Sequence, residues 1–273
     1  MFRIVDLLPY GFWEKEYLAA ACSILTTTPI DADVTVIVTN DRNALPEHHG
    51  ATVVILVSDE THGVPDYHRD VLMVFKQYGP LTAVRNVRPI PLGCMSGFRP
   101  ALHVPILERP YDVGFCGYLH PTRAPFAALA AQLERDPRLR CSFVFTEFSG
   151  GGVPVGEYAR RLGDTKIALA PIGGSSTESF RVFEALRTGC IVMTPRKPPF
   201  WFYEGWPALE IDDWNEDAHA QILELLADRA RLTALHEAHL AWWQNRCSEK
   251  PLAAYIARET AAALVAEAEY GRS

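Results

Sequence analysis

The stretch DTKIALAPIGGSSTESFRVFEALRTGCIVMT, residues 164–194, reads as strand, loop, helix, strand. Residues 166–170 form an apolar run too short for a stable helix and suited to a buried strand. Gly173 and Gly174 let the backbone turn sharply. Ser175, Ser176 and Thr177 supply hydroxyls and N-cap candidates. Phe180, Val182, Phe183 and Leu186 give one apolar helical face, and Gly189 stands where a glycine ends a helix. Residues 190–194 form the next strand. Such a unit makes a parallel strand pair. Its Gly/Ser loop turns backbone N–H groups and the positive end of a helix to solvent, which is an anion site. Arg181, one turn into the helix, can add a bidentate phosphate contact. Glu184, three residues on, can accept hydrogen bonds from a ribose. A phosphate beside a vicinal diol is most of a nucleotide.

The same alternation extends outward from this unit. Upstream, residues 112–117 read as a strand ending in glycine, 125–134 as a helix, 140–146 as a strand and 155–162 as a helix. Arg123 lies at a strand-to-helix junction, placed to meet the same phosphates as Arg181; an ordinary exposed helix residue is the other reading. Downstream come the aromatic, proline-rich run 195–207, a short strand at 208–211, and helices over 215–227, 229–244 and 252–268, with Asp212, Asp213 and Trp214 as the cap of the first. Trp242 and Trp243 read as packing residues.

The amino-terminal part repeats the theme. Strands are expected at 2–8, 33–39 and 51–58, with a helix over 12–25 after the first. This order is that of a doubly wound α/β domain, whose ligands sit at the carboxyl ends of the strands. One of those ends, residues 58–63 (SDETHG), carries Asp59, Glu60 and His62 within four positions. A base that deprotonates an incoming hydroxyl belongs in such a place; a solvated acidic loop with a helix cap is the alternative. Residues 71–78 and 87–93 are further extended segments. Residues 97–110 have no apolar period and read as an interdomain linker.

Composition bounds the function classes. At 273 residues the chain can hold two domains of about 100–150 residues. An apolar fraction of 48% allows a full core. No run approaches the ~20 apolar residues of a membrane span. The amino terminus begins directly as a strand, without a signal-peptide pattern, so a cytoplasmic protein is expected. With 26 basic and 33 acidic residues the net charge is −7, which argues against nucleic acid as the main partner. The six cysteines are scattered without zinc spacing and read as reduced, buried residues.

Residues 179–192 are Ser-Phe-Arg-Val-Phe-Glu-Ala-Leu-Arg-Thr-Gly-Cys-Ile-Val. This string resembles the carboxy-terminal core of the exostosin-like glycosyltransferases, S-x-R-x-x-E-A-L/I-x-x-G-C-I-P-V. Val192 stands where that pattern usually has proline, and Ser-Ser-Thr-Glu is inserted before Ser179. Residues 113–117 with Arg123, and residues 78–93, resemble further parts of the family. The resemblance implies a GT-B-like α/β fold: two Rossmann-like parallel-sheet domains facing across a cleft, with the C-terminal helix returning to the first. Residues 1–98 would be the acceptor-side domain, 111–250 the nucleotide-sugar domain and 251–273 the returning helix. It also implies inverting transfer from a nucleotide-diphosphate sugar, usually a UDP-sugar, to an acceptor hydroxyl, with no cofactor and no obligatory metal. Arg123, Gly173, Gly174, Ser175, Ser176, Thr177, Ser179, Arg181 and Glu184 would hold the donor, with Glu60 first, His62 second and Asp59 third as base. The acceptor, a glycan, a lipid-linked chain or a small molecule, stays open.

Other classes remain. A nucleotide-sugar-binding protein without transfer activity would keep Arg181 and Glu184 and dispense with the 58–63 cluster. An epimerase would need a base in the second half, where Glu147 and Glu178 are the candidates. A dinucleotide-dependent oxidoreductase needs G-x-G-x-x-G after the first strand, and Pro9-Tyr10-Gly11 is not that loop.

Overall fold

A computed structural model describes residues 1–100, 104–147, 152–174 and 176–270. The chain forms two compact units. The first comprises Met1–Ser96, Pro199–Phe202 and the chain from Arg246 on; the second comprises Gly97–Pro198 and Tyr203–Asn245.

The first unit holds a five-stranded parallel sheet of β1 (Phe2–Asp6), β2 (Val34–Thr39), β3 (Ala51–Leu56), β4 (Met73–Lys76) and β5 (Val87–Pro89). The strands lie in sequence order, so the sheet winds in one direction and has no reversal. A doubly wound first domain, expected from the strand and helix pattern, is therefore not what forms. Only one α-helix, α1 (Lys15–Thr27), separates these strands; β2 reaches β3 by a loop and β3 reaches β4 through a short 3₁₀ turn, Asp66–Arg69. Val53, Val54, Ile55 and Leu56 are all buried, as a strand covered on both faces requires. The long C-terminal helix (Glu249–Tyr270) packs on α1, and Tyr17 Oη donates to Cys247 O at 2.6 Å.

The aromatic segment Pro199–Phe202 belongs to this first unit although it follows a strand of the second. Trp201 stacks on Tyr255 at 4.4 Å between ring centroids, and its Nε1 donates to Pro89 O at 3.0 Å.

The second unit holds β6 (Tyr111–Tyr118), β7 (Cys141–Thr146), β8 (Thr165–Leu169), β9 (Ile191–Pro195) and β10 (Leu209–Ile211), all parallel, in the order β10-β9-β8-β6-β7. Helices α2 (Ala124–Arg135), α3 (Val155–Gly163), α4 (Phe180–Thr188), α5 (Glu216–Ala227) and α6 (Arg229–Trp242) accompany it; the C-terminal helix is α7. Its core joins Val113, Phe115, Phe126, Ile167, Leu169, Ile191, Met193 and Ile222. The chain moves from β6 outward to β7, then returns to the other side of β6 for β8, β9 and β10. The reversal between β6 and β8 is a topological switch point, where open α/β sheets bind ligands beyond the strand ends.

Residues expected as a linker are partly core. Phe98 and Ile106 are buried, and Arg109 is 1% exposed. Its guanidinium donates to Thr165 O at 2.8 Å, Thr188 O at 2.7 Å and Val104 O at 3.2 Å, which satisfies a buried cation with backbone carbonyls. The cap of α5 is Asn215, whose side chain accepts from the backbone of Asp217 and Ala218, rather than Asp212-Asp213-Trp214. Trp243 is buried, with Arg187 over its ring. Among the described residues no helix is long and apolar enough to cross a membrane.

Candidate functional site

The carboxyl ends of β6 and β8 gather the donor-binding candidates. After β8 the chain turns at Gly173, whose N–H donates to Ser176 O at 2.7 Å. A Cβ at 173 would lie 2.6 Å from Glu178 O and 2.9 Å from Ser176 O, so the turn closes only on glycine. This closure moves the cap of α4 along the chain. Ser176 Oγ accepts from Glu178 N at 3.0 Å, and Ser179, with β backbone, caps α4 by accepting from Arg181 N. Gly174 is exposed, Thr177 half-buried, and Ser175 lies outside the described residues. At the other end of α4, Gly189 adopts φ 70°, the left-handed cap expected there.

Arg181 and Arg123 both reach the end of β6. Arg181 Nε donates to Cys116 O at 2.9 Å, and its guanidinium lies over the Phe115 ring, 5.2 Å from the centroid. Arg123 is 7% exposed; it donates to Ile172 O at 2.8 Å and to Tyr118 O, lacing the end of β6 to the loop after β8. Two cations far apart in sequence thus both bond carbonyls at the end of β6. Arg123 spends its hydrogen bonds on the scaffold, between the end of β6 and the loop after β8.

Glu184 is 1% exposed, and its Oε2 accepts from Tyr158 Oη at 2.9 Å. Burial, then the Glu184 charge, pushes the Tyr158 phenol well above its ordinary range. A ribose reaches Glu184 only if the covering groups move aside. Glu178, also 1% exposed, accepts from Tyr203 Oη at 3.2 Å, while Glu147 is exposed.

Sequence reasoning passed over Lys197, in the run after β9. It is half-buried, and its ammonium donates to Thr177 O in the Gly/Ser loop. Burial pushes it down to about 7, against the pull of Glu178 and Glu210. Its place in a proline-rich run hid it, because nothing local marks a contact across 20 residues.

The carboxyl rim of the first unit carries the acid–base candidates, and the structure separates their roles. Ser58 (φ 55°) and Tyr78 (φ 50°), just past β3 and β4, have left-handed backbones, a costly conformation for side-chain-bearing residues that gathers at functional loops. Asp59 is buried. Its Oδ2 lies 3.2 Å from Lys76 Nζ, its Oδ1 accepts from Thr61 Oγ1 at 2.7 Å, and Arg42 is 3.6 Å away. Burial alone would raise this carboxyl, but Thr61 and Lys76 outweigh it and hold it below the usual range. Lys76 is wholly buried and also donates to the carbonyls of Asp59, Thr61, Gln77 and Tyr78. Asp59 therefore anchors the loop, which leaves it poorly suited to take a proton. Glu60 is exposed. His62 is half-buried, and Nδ1–H donates to Gly79 O at 2.8 Å. That bond fixes the tautomer and puts the basic lone pair on Nε2.

Among the described residues no group of three or more His, Cys, Asp or Glu side chains is arranged to hold a metal ion.

No family model matches the chain, and no curated protein does. Solved structures match its fold. A glycosyltransferase from Rickettsia africae ESF-5 aligns with TM-score 0.54 at 10% identity, over 96% of this chain and 98% of that one. Anabaena Alr3699/HepE, solved in complex with UDP and glucose, aligns with TM-score 0.53 at 13% identity, over 93% of this chain and 84% of that one. The GtfA/B complex aligns with TM-score 0.51 at 12% identity, over 92% of this chain. The chain spans 54% of the length of TarM and 61% of the GtfA/B chain. The likeness is one of fold: two parallel-sheet α/β domains, the GT-B plan of glycosyltransferases.

Proposed function

We propose that this chain is a glycosyltransferase that moves a sugar from a nucleotide-diphosphate sugar, a UDP-sugar, to an acceptor hydroxyl. The observation that carries the reading is that Arg181 and Arg123 both bond carbonyls at the end of β6, at the switch point of the second sheet. A guanidinium at such a strand end suits a diphosphate. The UDP bound in HepE, a structure of similar fold, supports the choice of nucleotide.

The acceptor-side groups then belong to the first unit. A base takes the proton of the acceptor O–H, the acceptor oxygen forms a bond to the anomeric carbon, and the bond from that carbon to the diphosphate oxygen breaks. The electron pair leaves on the diphosphate, where Arg181 stabilises it. Direct displacement of this kind inverts the anomeric centre. His62 is preferred to Glu60 because its ring is oriented by Gly79 O, whereas Glu60 is exposed. Kinship with the exostosin-like family and transfer without a metal belong to the same reading and rest on the sequence string at 179–192.

Calorimetry with UDP and uridine on wild type and Arg181→Ala tests it. UDP affinity is expected to fall roughly tenfold to a hundredfold and uridine affinity to change little, because charged hydrogen bonds contribute about 1.5–3 kcal/mol. Equal UDP binding by both proteins would refute the donor assignment.

A further inference from the structure

The loop that leaves β1 carries aromatic surface that the donor reading does not use. Tyr10 is fully exposed and Trp13 is 65% exposed, with Leu7 at 43% on the same stretch. The loop is nonetheless held firmly. Leu8 N donates to Asp6 Oδ1 and Lys15 Nζ to Leu8 O, each at 2.9 Å, and Lys15 pairs with Asp6 at 3.1 Å. Ser96 Oγ donates to Phe12 O at 3.0 Å and Ser96 N to Trp13 O at 2.5 Å. The next residue, Glu14, is wholly buried and accepts from Ser58 Oγ at 2.8 Å, which ties this loop to the residue preceding Asp59. Burial raises the Glu14 carboxyl above its usual range. Two rings held in water by an ordered loop have met their ordering cost before a ligand arrives, as in preorganised binding surfaces.

The neighbouring groups narrow the ligand. β1 pairs in parallel with β2, and Leu7 N donates to Val38 O at 2.9 Å, so Asn40 and Asp41 leave the sheet on the same rim. Both are exposed. The cations here are committed: Lys15 as above, and Arg42 to Thr61 Oγ1 at 2.6 Å, Val64 O at 3.1 Å and Asp59. The rim therefore offers flat ring faces, an amide and the Asp41 carboxylate, whose Oδ1 accepts from Asn43 N and Ala44 N, with no uncommitted cation among the described residues of these loops. An amide and a carboxylate take hydroxyls, and a ring face packs on the C–H face of a pyranose. An anionic ligand or an anionic lipid surface finds no counter-charge. Three exposed apolar side chains fall far short of the roughly 20–30 residues a side of a stable protein interface.

We propose that Tyr10 and Trp13 form a platform for a neutral sugar ring of the acceptor, with Asn40 and Asp41 binding its hydroxyls. Its role as acceptor rests on the glycosyltransferase reading; the sugar contact does not. Saturation-transfer NMR with maltotriose, cellotriose and chitotriose tests it on wild type, Tyr10→Ala, Trp13→Ala and Trp13→Phe, with UDP affinity measured on the same samples. At least one trisaccharide binds wild type, loses roughly tenfold in affinity in each alanine variant and recovers in Trp13→Phe, which keeps a ring face. UDP affinity stays unchanged in all four. No trisaccharide binding by wild type, or equal binding by the alanine variants, overturns the platform. So does the finding that these variants lose instead pelleting with phosphatidylcholine–phosphatidylglycerol vesicles, or a dimer seen by light scattering. If trisaccharide binding depends on Tyr10 while UDP does not bind at all, the platform stands and the transferase reading falls.

Discussion

Gly117 leaves open the space that the Arg181 guanidinium occupies. A Cβ at 117 would lie 1.9 Å from Arg181 Nη2 and 2.7 Å from its Cζ, and residue 117 has φ 151°, which side-chain-bearing residues rarely adopt. The far end of Arg181 can yield where the sheet cannot, so alanine at 117 expels the guanidinium from the end of β6. Gly117→Ala is expected to copy Arg181→Ala, with UDP affinity down roughly tenfold to a hundredfold and uridine affinity nearly kept. Calorimetry with both ligands checks this. Unchanged UDP binding in the variant would separate Arg181 from the phosphate.

Asp59 and Lys76 allow anchoring to be told from catalysis. Lys76 is wholly buried, so Asp59→Asn leaves a buried ammonium without its counter-ion. The expected loss is about 3 kcal/mol or more of folding stability, the range for breaking a buried pair. Urea denaturation measures it. A stable Asp59→Asn protein that lacked only turnover would restore Asp59 as a candidate base.

His62 carries the opposite expectation. His62→Gln keeps the fold and UDP affinity and lowers transfer by roughly 10²–10⁴, the usual contribution of a general base. Glu60→Gln, at an exposed position, stays near wild type. UDP release in the presence of an acceptor is the readout, with UDP affinity on the same protein as control. Full loss in Glu60→Gln with near-normal His62→Gln would reverse the assignment.

The central unit was legible because its constraints are local. Gly173 closes on carbonyls three and five residues away, and Gly189 ends α4 in the conformation glycine favours. The cap moved from Ser175–Thr177 to Ser179 because the turn at Gly173 uses Ser176 for its own closure. What stayed hidden depends on distant partners. Strands as alike as Thr165–Leu169 and Ile191–Pro195 do not announce their order, so the reversal between β6 and β8 appears only in three dimensions. Arg109 looked like a linker residue because the carbonyls that satisfy it come from Thr165 and Thr188. Lys197 and the Trp201–Tyr255 stack were hidden for the same reason.

His239 gives the second unit one source of acid sensitivity. It is wholly buried in α6; Nδ1–H donates to Leu235 O at 2.7 Å and Nε2 accepts from Val192 N at 3.1 Å. Only a neutral imidazole makes both bonds. The exostosin-like pattern has proline at the Val192 place, which would lack the N–H used here. Burial pushes the His239 imidazole down to about 4, against the bond to Leu235 that favours the proton. The unfolded chain takes up that proton near pH 6.5, whereas the folded chain resists until about pH 4. The folded-state value is the lower one, so the stabilisation is complete above pH 6.5 and is lost as pH falls towards 4. The expected loss by pH 4.5 is about 2–3 kcal/mol. His239→Gln keeps an acceptor for Val192 N and does not titrate. It should cost about 1 kcal/mol at pH 7.5, and its deficit relative to wild type should vanish or reverse at pH 4.5. Urea midpoints of both proteins at the two pH values measure this directly, since the carboxylates common to both cancel in the difference. Parallel losses in wild type and variant would show that His239 is not the group that binds the proton.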